Sequence, residues 1–285
     1  MNAAARIAVF GVILATAMGV GAGMGATVGP DATRTETTTP APMGQGVVAT
    51  RDGYRLVPTS PDLATAGGTF RFTIVDGEGQ PVTGFTPVHE RDLHLIVVNR
   101  ELTNYHHVHP KLAGDGTWSI DLPALPAGSY RAIADFQVAG GPRLALGTDV
   151  SVAGTYTPTV LPEPHSTTTV DGYDVTISTK DGKGGEVTAS LTVTRDGHPV
   201  DDLQPYLGAN GHLVAIRAGD LAYLHVHPVD EHAGPPHDGT VTFNASLDAT
   251  GRYGLFFDFQ HNGVVHTAAF TFDQGTVTGA ADMEH

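Results

Sequence analysis

Residues 211–228 read Gly-His-Leu-Val-Ala-Ile-Arg-Ala-Gly-Asp-Leu-Ala-Tyr-Leu-His-Val-His-Pro. Two apolar runs flank Gly219-Asp220, and Gly at the first central position suits a type II′ turn. Such a turn makes an antiparallel hairpin and pairs residues whose numbers sum to 439, as those of Gly219 and Asp220 do. His212 then stands directly opposite His227, and His225 lies on the same face, diagonal to His212. The reverse face carries Leu213, Ala215, Leu224 and Val226, which suits a core. Opposed Cβ atoms lie about 5 Å apart and diagonal ones about 7–8 Å. Three imidazoles at that spacing can converge on one cation through bonds of about 2.0–2.1 Å.

The same block stands 118 residues earlier. His94, His107 and His109 repeat the 13-and-2 spacing of His212, His225 and His227, with a pairing sum of 203 for His94 and His109. Leu95, Val97 and Val108 form the reverse face, and His106 replaces Leu224. Outward from this block the match continues: Asp52-Gly53-Tyr54 with Asp171-Gly172-Tyr173, Gly128-Ser129-Tyr130 with Gly251-Arg252-Tyr253, and Asp135-Phe136-Gln137 with Asp258-Phe259-Gln260. The chain is a tandem duplication, with a period too long for a solenoid.

Each copy reads as all-β. Phe70 to Val75, Leu191 to Thr194 and Val241 to Asn244 alternate with period two, and Asp76-Gly77, Asp196-Gly197 and Asn262-Gly263 mark turns. The expected architecture is two tandem immunoglobulin-like or cupredoxin-like β-sandwich domains, with a jelly roll as the alternative topology. The Gly-x-Tyr entering a late strand suggests a tyrosine corner. The first domain covers residues 47–155, a Pro-rich linker 156–166, the second domain 167–275 and a tail 276–285. Gly and Pro number 36 and 19 among 285 residues, which disfavours long helices.

Ahead of the domains, Arg6 precedes an uncharged apolar run from Ile7 to Val28. Residues 1–28 are expected to be a cleaved signal peptide or, uncleaved, to attach the chain to a membrane through residues 7–28. Either way the domains lie outside the cytoplasm, secreted or anchored. Residues 29–46 form a Thr/Pro-rich linker.

The net charge of −15 argues against nucleic acid as a partner. The absence of cysteine excludes disulfides, iron–sulfur clusters, thiolate zinc sites, cysteine nucleophiles and blue copper. The five methionines, at 1, 18, 24, 43 and 283, lie far from the histidine blocks, which argues against a thioether Cu(I) site. Histidine, at 15 residues, is as abundant as Lys and Arg together. The expected metal ligands are His94, His107 and His109 in one copy and His212, His225 and His227 in the other. Imidazole sites suit Cu(II) or Zn(II), and the sequence does not separate them. Asp135 and Asp258 are candidates for a fourth ligand or for acceptors of an imidazole N–H, with pairing to a nearby Arg as the alternative. Tight pairing at Asn262-Gly263 places His266 across from Phe259, and His261 or His266 could complete the second site. With the Gly219-Asp220 turn pinning the register better than Glu101-Leu102, that would make the second copy the tighter one, and the two sites independent. His232 and His237 fall in a Gly/Pro-rich loop. His89, His165, His198 and His285 carry no repeat signal and read as surface residues.

The 211–228 block resembles one found in secreted bacterial proteins labelled heavy-metal-binding, which sit beside YtkA-like and copper-handling sandwich domains. The resemblance covers most of the chain beyond Val47. It implies exported metal handling rather than a reaction, and it carries over only the two histidine triads. The spacing Gly219, His225-x-His227, Glu231 also looks like a cupin motif, but Glu101 and Ala113 break it in the first copy. The functional expectation is an exported protein that buffers, stores or delivers Cu(II) or Zn(II), its partners being the metal ion and an envelope protein of unknown identity. The alternatives are a cupin-like metalloenzyme and a structural or adhesive envelope module. No catalytic motif such as Gly-x-Ser-x-Gly or His-Glu-x-x-His is present, so the balance is against an enzyme.

Overall fold

The computed structural model describes residues 46–182, 185–226, 228–229, 234, 236, 238–247 and 249–275, with the side chain of His225 excepted. Residues 1–28, the linker up to residue 45 and the tail 276–285 lie outside the described residues. The first domain runs β1 (Thr50–Arg51), β2 (Tyr54–Pro58), β3 (Asp62–Leu63), β4 (Gly68–Val75), β5 (Leu93–Asn99), β6 (Tyr105–Val108), β7 (Lys111–Leu112), β8 (Thr117–Leu122), β9 (Gly128–Gln137) and β10 (Arg143–Val152). The second runs β11 (Thr167–Val170), β12 (Tyr173–Asp181), β13 (Glu186–Arg195), β14 (His198–Pro199), β15 (His212–Arg217), β16 (Tyr223–Val226), β17 (Thr240–Ser246), β18 (Gly251–His261) and β19 (Val264–Gln274). No helix occurs among the described residues.

Each domain is a sandwich of two sheets. In the first, β1-β2-β4-β8-β7 faces β3-β10-β9-β5-β6; in the second, β11-β12-β13-β14, with β17 also on β13, faces β16-β15-β18-β19. Alternating side chains fill each interior: Phe72, Leu95, Trp118 and Phe136 in one, Leu191, Phe243, Phe257 and Phe259 in the other. Burying such aromatics supplies much of the driving force for folding. Tyr130 donates its hydroxyl to the Pro126 carbonyl (2.9 Å) and Tyr253 to that of Ala249 (2.8 Å), so both copies close a tyrosine corner. The chain folds as two tandem immunoglobulin-like β-sandwich domains.

Hairpin registers follow the sequence arithmetic. Leu213 pairs with Val226 and Ala215 with Leu224; Leu95 pairs with Val108 and Val97 with His106. Phe259 pairs with His266 across Asn262-Gly263, both of which have positive φ, as a type I′ turn requires. The turn at Gly219 is different from the expected type II′. Gly219 lacks a positive φ; Leu221 carries it, at 60°, and the Arg217 and Leu221 amides donate to the Ala222 and Arg217 carbonyls. The loop is two residues wider but centred on the same point, so the register is unchanged.

A third apolar cluster joins the domains. Ile96, Val98 and Ile133 of the first pack with Val214, Ile216, Tyr223 and Phe256 of the second. Ile96 and Val98 share the face of His94, and Val214 and Ile216 share the face of His212. The histidine face is therefore a covered seam between sheets rather than a solvent face. Every residue of β5 is buried, as an uninterrupted Leu-His-Leu-Ile-Val-Val-Asn run leads one to expect for a strand buried on both sides.

Candidate metal centre

His94 enters the seam from the start of β5, His107 from β6, and His109 from the two residues beyond His107. The register that pairs Ile96 with His107 brings these three to one spot. His94 Nδ1 lies 3.1 Å from His107 Nε2 and 3.2 Å from His109 Nε2. Tetrahedral coordination with bonds of about 2.0–2.1 Å would put ligand nitrogens about 3.3 Å apart. The three are the only such group of candidate ligands among the described residues, their ligand atoms all within 4.8 Å of one another.

The outward ring nitrogens fix where the protons sit. His94 Nε2 donates to the Val88 carbonyl (2.9 Å), and His107 Nδ1 donates to Asp258 Oδ2 (2.7 Å). Both acceptors lack a proton to give, so in the neutral rings His94 Nδ1 and His107 Nε2 point lone pairs inward. Two lone pairs 3.1 Å apart repel one another unless a proton or a cation lies between them. Metal-bound histidines are oriented in this way, by a carbonyl or carboxylate on the far nitrogen.

Electrostatics keep the His94 and His109 rings uncharged. Burial above all holds His94 down at about 3, with His107 adding to the fall. Burial, then His107, His94 and Arg91, take His109 to about 2. A neutral imidazole is the form that binds a metal.

Asp258 comes from the other domain. His107 and Asp258 are 2% and 3% exposed, so their contact is shielded from water. Thr267 donates to the second carboxylate oxygen at 2.6 Å. This is the imidazole-accepting role expected of Asp258, performed across the seam. Asp135, its counterpart in the repeat, takes the other expected alternative. It accepts from Arg143 Nε and Nη2 at 3.3 and 3.1 Å, and from the Tyr223 hydroxyl at 3.1 Å. Burial raises the Asp135 pKa most, but Arg143, together with His94 and the Tyr223 hydrogen bond, makes the net shift downward. The difference reaches the paired tyrosines: Tyr105 stacks on Phe256 at 3.9 Å, and its buried hydroxyl has no hydrogen-bond partner among the described residues. If Asp258 orients His107, Asp258→Asn weakens first-site metal binding by about 10–100-fold in competition titrations while the melting temperature stays within a few degrees. Unchanged affinity would leave Asp258 without that role.

The second triad is described through His212 alone. The side chain of His225 and all of His227, together with Glu231, His232 and His237, lie outside the described residues. His212 repeats the geometry of His94: its Nε2 lies 2.8 Å from the Tyr206 carbonyl, and position 206 is Val88 shifted by 118. Burial, then His107, hold His212 at about 4.

His261 and His266 do not complete this site. His261 Nδ1 meets the Tyr173 hydroxyl (2.7 Å) and Nε2 meets Asp202 (3.0 Å), while His266 Nδ1 meets Asp171 (2.7 Å). They pack against Tyr173 at the start of β12, because the long β18-β19 hairpin carries them away from His212. One of the two reasons for expecting a tighter second site thus falls away. His89, read as a surface residue, instead sits half-buried at the seam, its ring 6.1 Å from that of His94 and 5.9 Å from that of His212. Burial, then Arg143, lower it to about 4. His89 and Glu90 both have positive φ, in the tight Val88–Arg91 turn that also presents the Val88 carbonyl to His94. The 118-residue shift aligns this turn with Leu207-Gly208, a signal that the histidine pattern alone does not carry.

No curated protein matches the chain. Among solved structures, a biofilm-associated protein's BSP domain is 12% identical over 77% of this chain and 29% of its own, with a TM-score of 0.24. A Corynebacterium diphtheriae protein described as membrane-anchored is 15% identical over 81% and 60%, with a TM-score of 0.24. A two-domain fibronectin type III segment of chicken tenascin is 12% identical over 77% and 97%, with a TM-score of 0.22. The chain thus spans under a third and under two thirds of the first two, and superpositions this loose carry no functional argument. Family membership is firmer, because residues 49–154 and 168–276 each match DUF8832, a domain of unknown function, in keeping with the duplication. The chain belongs to the DUF8832 family, of which it carries two copies.

Proposed function

We propose that this chain is an extracytoplasmic metal-binding protein that buffers, stores or delivers Cu(II) or Zn(II). The reading rests on the convergence of the triad, His94 Nδ1 lying 3.1 Å from His107 Nε2 and 3.2 Å from His109 Nε2, with the far nitrogens of His94 and His107 tied to acceptors. Three imidazoles supply nitrogen ligands suited to either ion and leave a coordination position for a fourth ligand. Export rests on Arg6 and the apolar run that follows it.

Calorimetric titration of chelator-stripped protein with Zn(II) and with Cu(II) tests the proposal. Saturable binding of at least one equivalent is expected; heats no larger than those of a histidine-free control protein would overturn it.

Acid gives a test without metal. His94, His109 and His212 stay neutral when folded down to about 3, 2 and 4, against about 6.5 when unfolded. The unfolded chain therefore binds more protons below about pH 6.5, and stability falls as pH drops through that window. The melting temperature of the apoprotein should decline from about pH 7 to about pH 5, and saturating Zn(II) at about pH 7 should raise it. A melting temperature indifferent to pH would contradict the neutral burial of these rings.

A further inference from the structure

We infer that Tyr206, from the second domain, closes the first-domain metal centre, so that a bound ion leaves only when the turn carrying Tyr206 lifts. This deepens the metal-binding reading and rests on it. Among buffering, storage and delivery, it favours an ion held until the seam opens over one in rapid exchange.

The triad is walled in unevenly. His94 is fully buried and the His107 side chain is 2% exposed, whereas His109 is half-buried. An ion therefore reaches the three nitrogens past His109. The Tyr206 ring stands on that side, its centroid 6.3 Å from that of His109 and inclined to it at 66°. It also meets the His212 ring edge-on, with centroids 5.7 Å apart, so it is wedged between a histidine of each domain.

The wedge is held from the second domain. The Tyr206 and Ala209 amides donate to each other's carbonyls at 2.8 and 3.3 Å, closing a two-residue turn over Leu207 and Gly208. Both central residues have positive φ, 55° and 81°, as a type I′ turn requires. Leucine seldom takes that conformation, and burial of its side chain, 4% exposed, keeps it there. Just upstream, the Gln204 amide donates to the Gln260 carbonyl of β18 at 2.8 Å, and the Tyr206 carbonyl accepts from His212 Nε2 at 2.8 Å. Glu90 Oε1 lies 3.7 Å from where a Cβ would stand on Gly208, so this turn touches its counterpart in the repeat, the Val88–Arg91 turn. The two turns meet at the mouth of the centre, one from each domain. Burial lifts the Tyr206 phenol to about 12, with Asp258 adding and Arg91 opposing, so the cover is an uncharged ring. Such a ring shuts out water without supplying a ligand, and phenylalanine should serve as well.

The full chain, loaded with one equivalent of Zn(II), would be mixed with the chromophoric chelator pyridylazoresorcinol at rising concentrations. In the wild type opening precedes capture, so the transfer rate levels off and becomes independent of chelator concentration. Tyr206→Ala raises that rate at least about tenfold and makes it proportional to chelator concentration. Its Zn(II) affinity in competition titration stays within about threefold, because entry quickens along with exit. Tyr206→Phe behaves as the wild type. A wild-type rate that climbs in proportion to chelator throughout would overturn the closure without recourse to any variant. Release from folded Tyr206→Ala within about twofold of wild type would overturn it too, and either result would leave metal binding standing. Weakened binding in Tyr206→Phe would make the hydroxyl a ligand rather than a cover, and would also overturn it. A wild-type chain that retains no zinc would overturn both.

Discussion

Replacing His107 and His109 together by alanine is expected to lower Zn(II) or Cu(II) affinity at the first-domain centre by at least about a thousandfold. Losing one partner that merely orients a ligand costs about 10–100-fold. This change removes two of three ligands, leaving His94 Nδ1 alone at the spot where three nitrogens met. The apoprotein should still fold, with a lower melting temperature, because the variant strips buried Asp258 of its His107 partner, a loss only partly offset by relief of the lone-pair clash between His94 and His107 and of a ring held neutral against its ordinary pKa. Metal titration alongside circular dichroism and melting measurements separates the two effects. Affinity within about tenfold of wild type, in a folded variant, would show that the metal binds elsewhere.

The second large effect concerns the seam. Phe256 is 2% exposed and lies nearly parallel to Tyr105, 3.9 Å between ring centroids, among Val214, Ile216 and Ile133. Phe256→Ala should cost about 3–5 kcal/mol in denaturant unfolding, as truncation of a buried aromatic does. Position 256 is two residues from Asp258 on the same strand face, so the variant should also weaken metal binding by loosening the Asp258 hold on His107. Val160→Ala, at an 85% exposed position, serves as the control and should change neither quantity measurably. A loss under about 1 kcal/mol for Phe256→Ala would mean that the domains are not joined through this cluster.

Much of this is legible in the amino-acid order because it is local. Period-two alternation and repeat spacing give the strands, and pairing sums of 439 and 203 give the hairpin registers even where the turn at Gly219 is of another kind. Both triads stand out because each lies within one hairpin. What crosses the seam is not legible in that way. That Asp258 serves His107, and Tyr223 serves Asp135, depends on how two finished sheets dock, and no periodicity encodes it. A trace of the docking exists in Ile96, Val98, Val214 and Ile216, apolar on the histidine face where a solvent-facing hairpin would be polar. His89 escaped notice because its turn aligns with Leu207-Gly208, which has no histidine. His261 and His266 misled in the opposite sense: the Asn262-Gly263 hairpin that sets His266 across from Phe259 suggested the second metal site, whereas the β18-β19 hairpin carries both to Tyr173.

X-ray absorption on the full chain loaded with one equivalent of Zn(II) tests the centre most directly. The arrangement of His94, His107 and His109 predicts a first shell containing three nitrogens at about 2.0–2.1 Å, with the outer-shell scattering of imidazole rings. A shell of oxygens alone, without imidazole scattering, would contradict it.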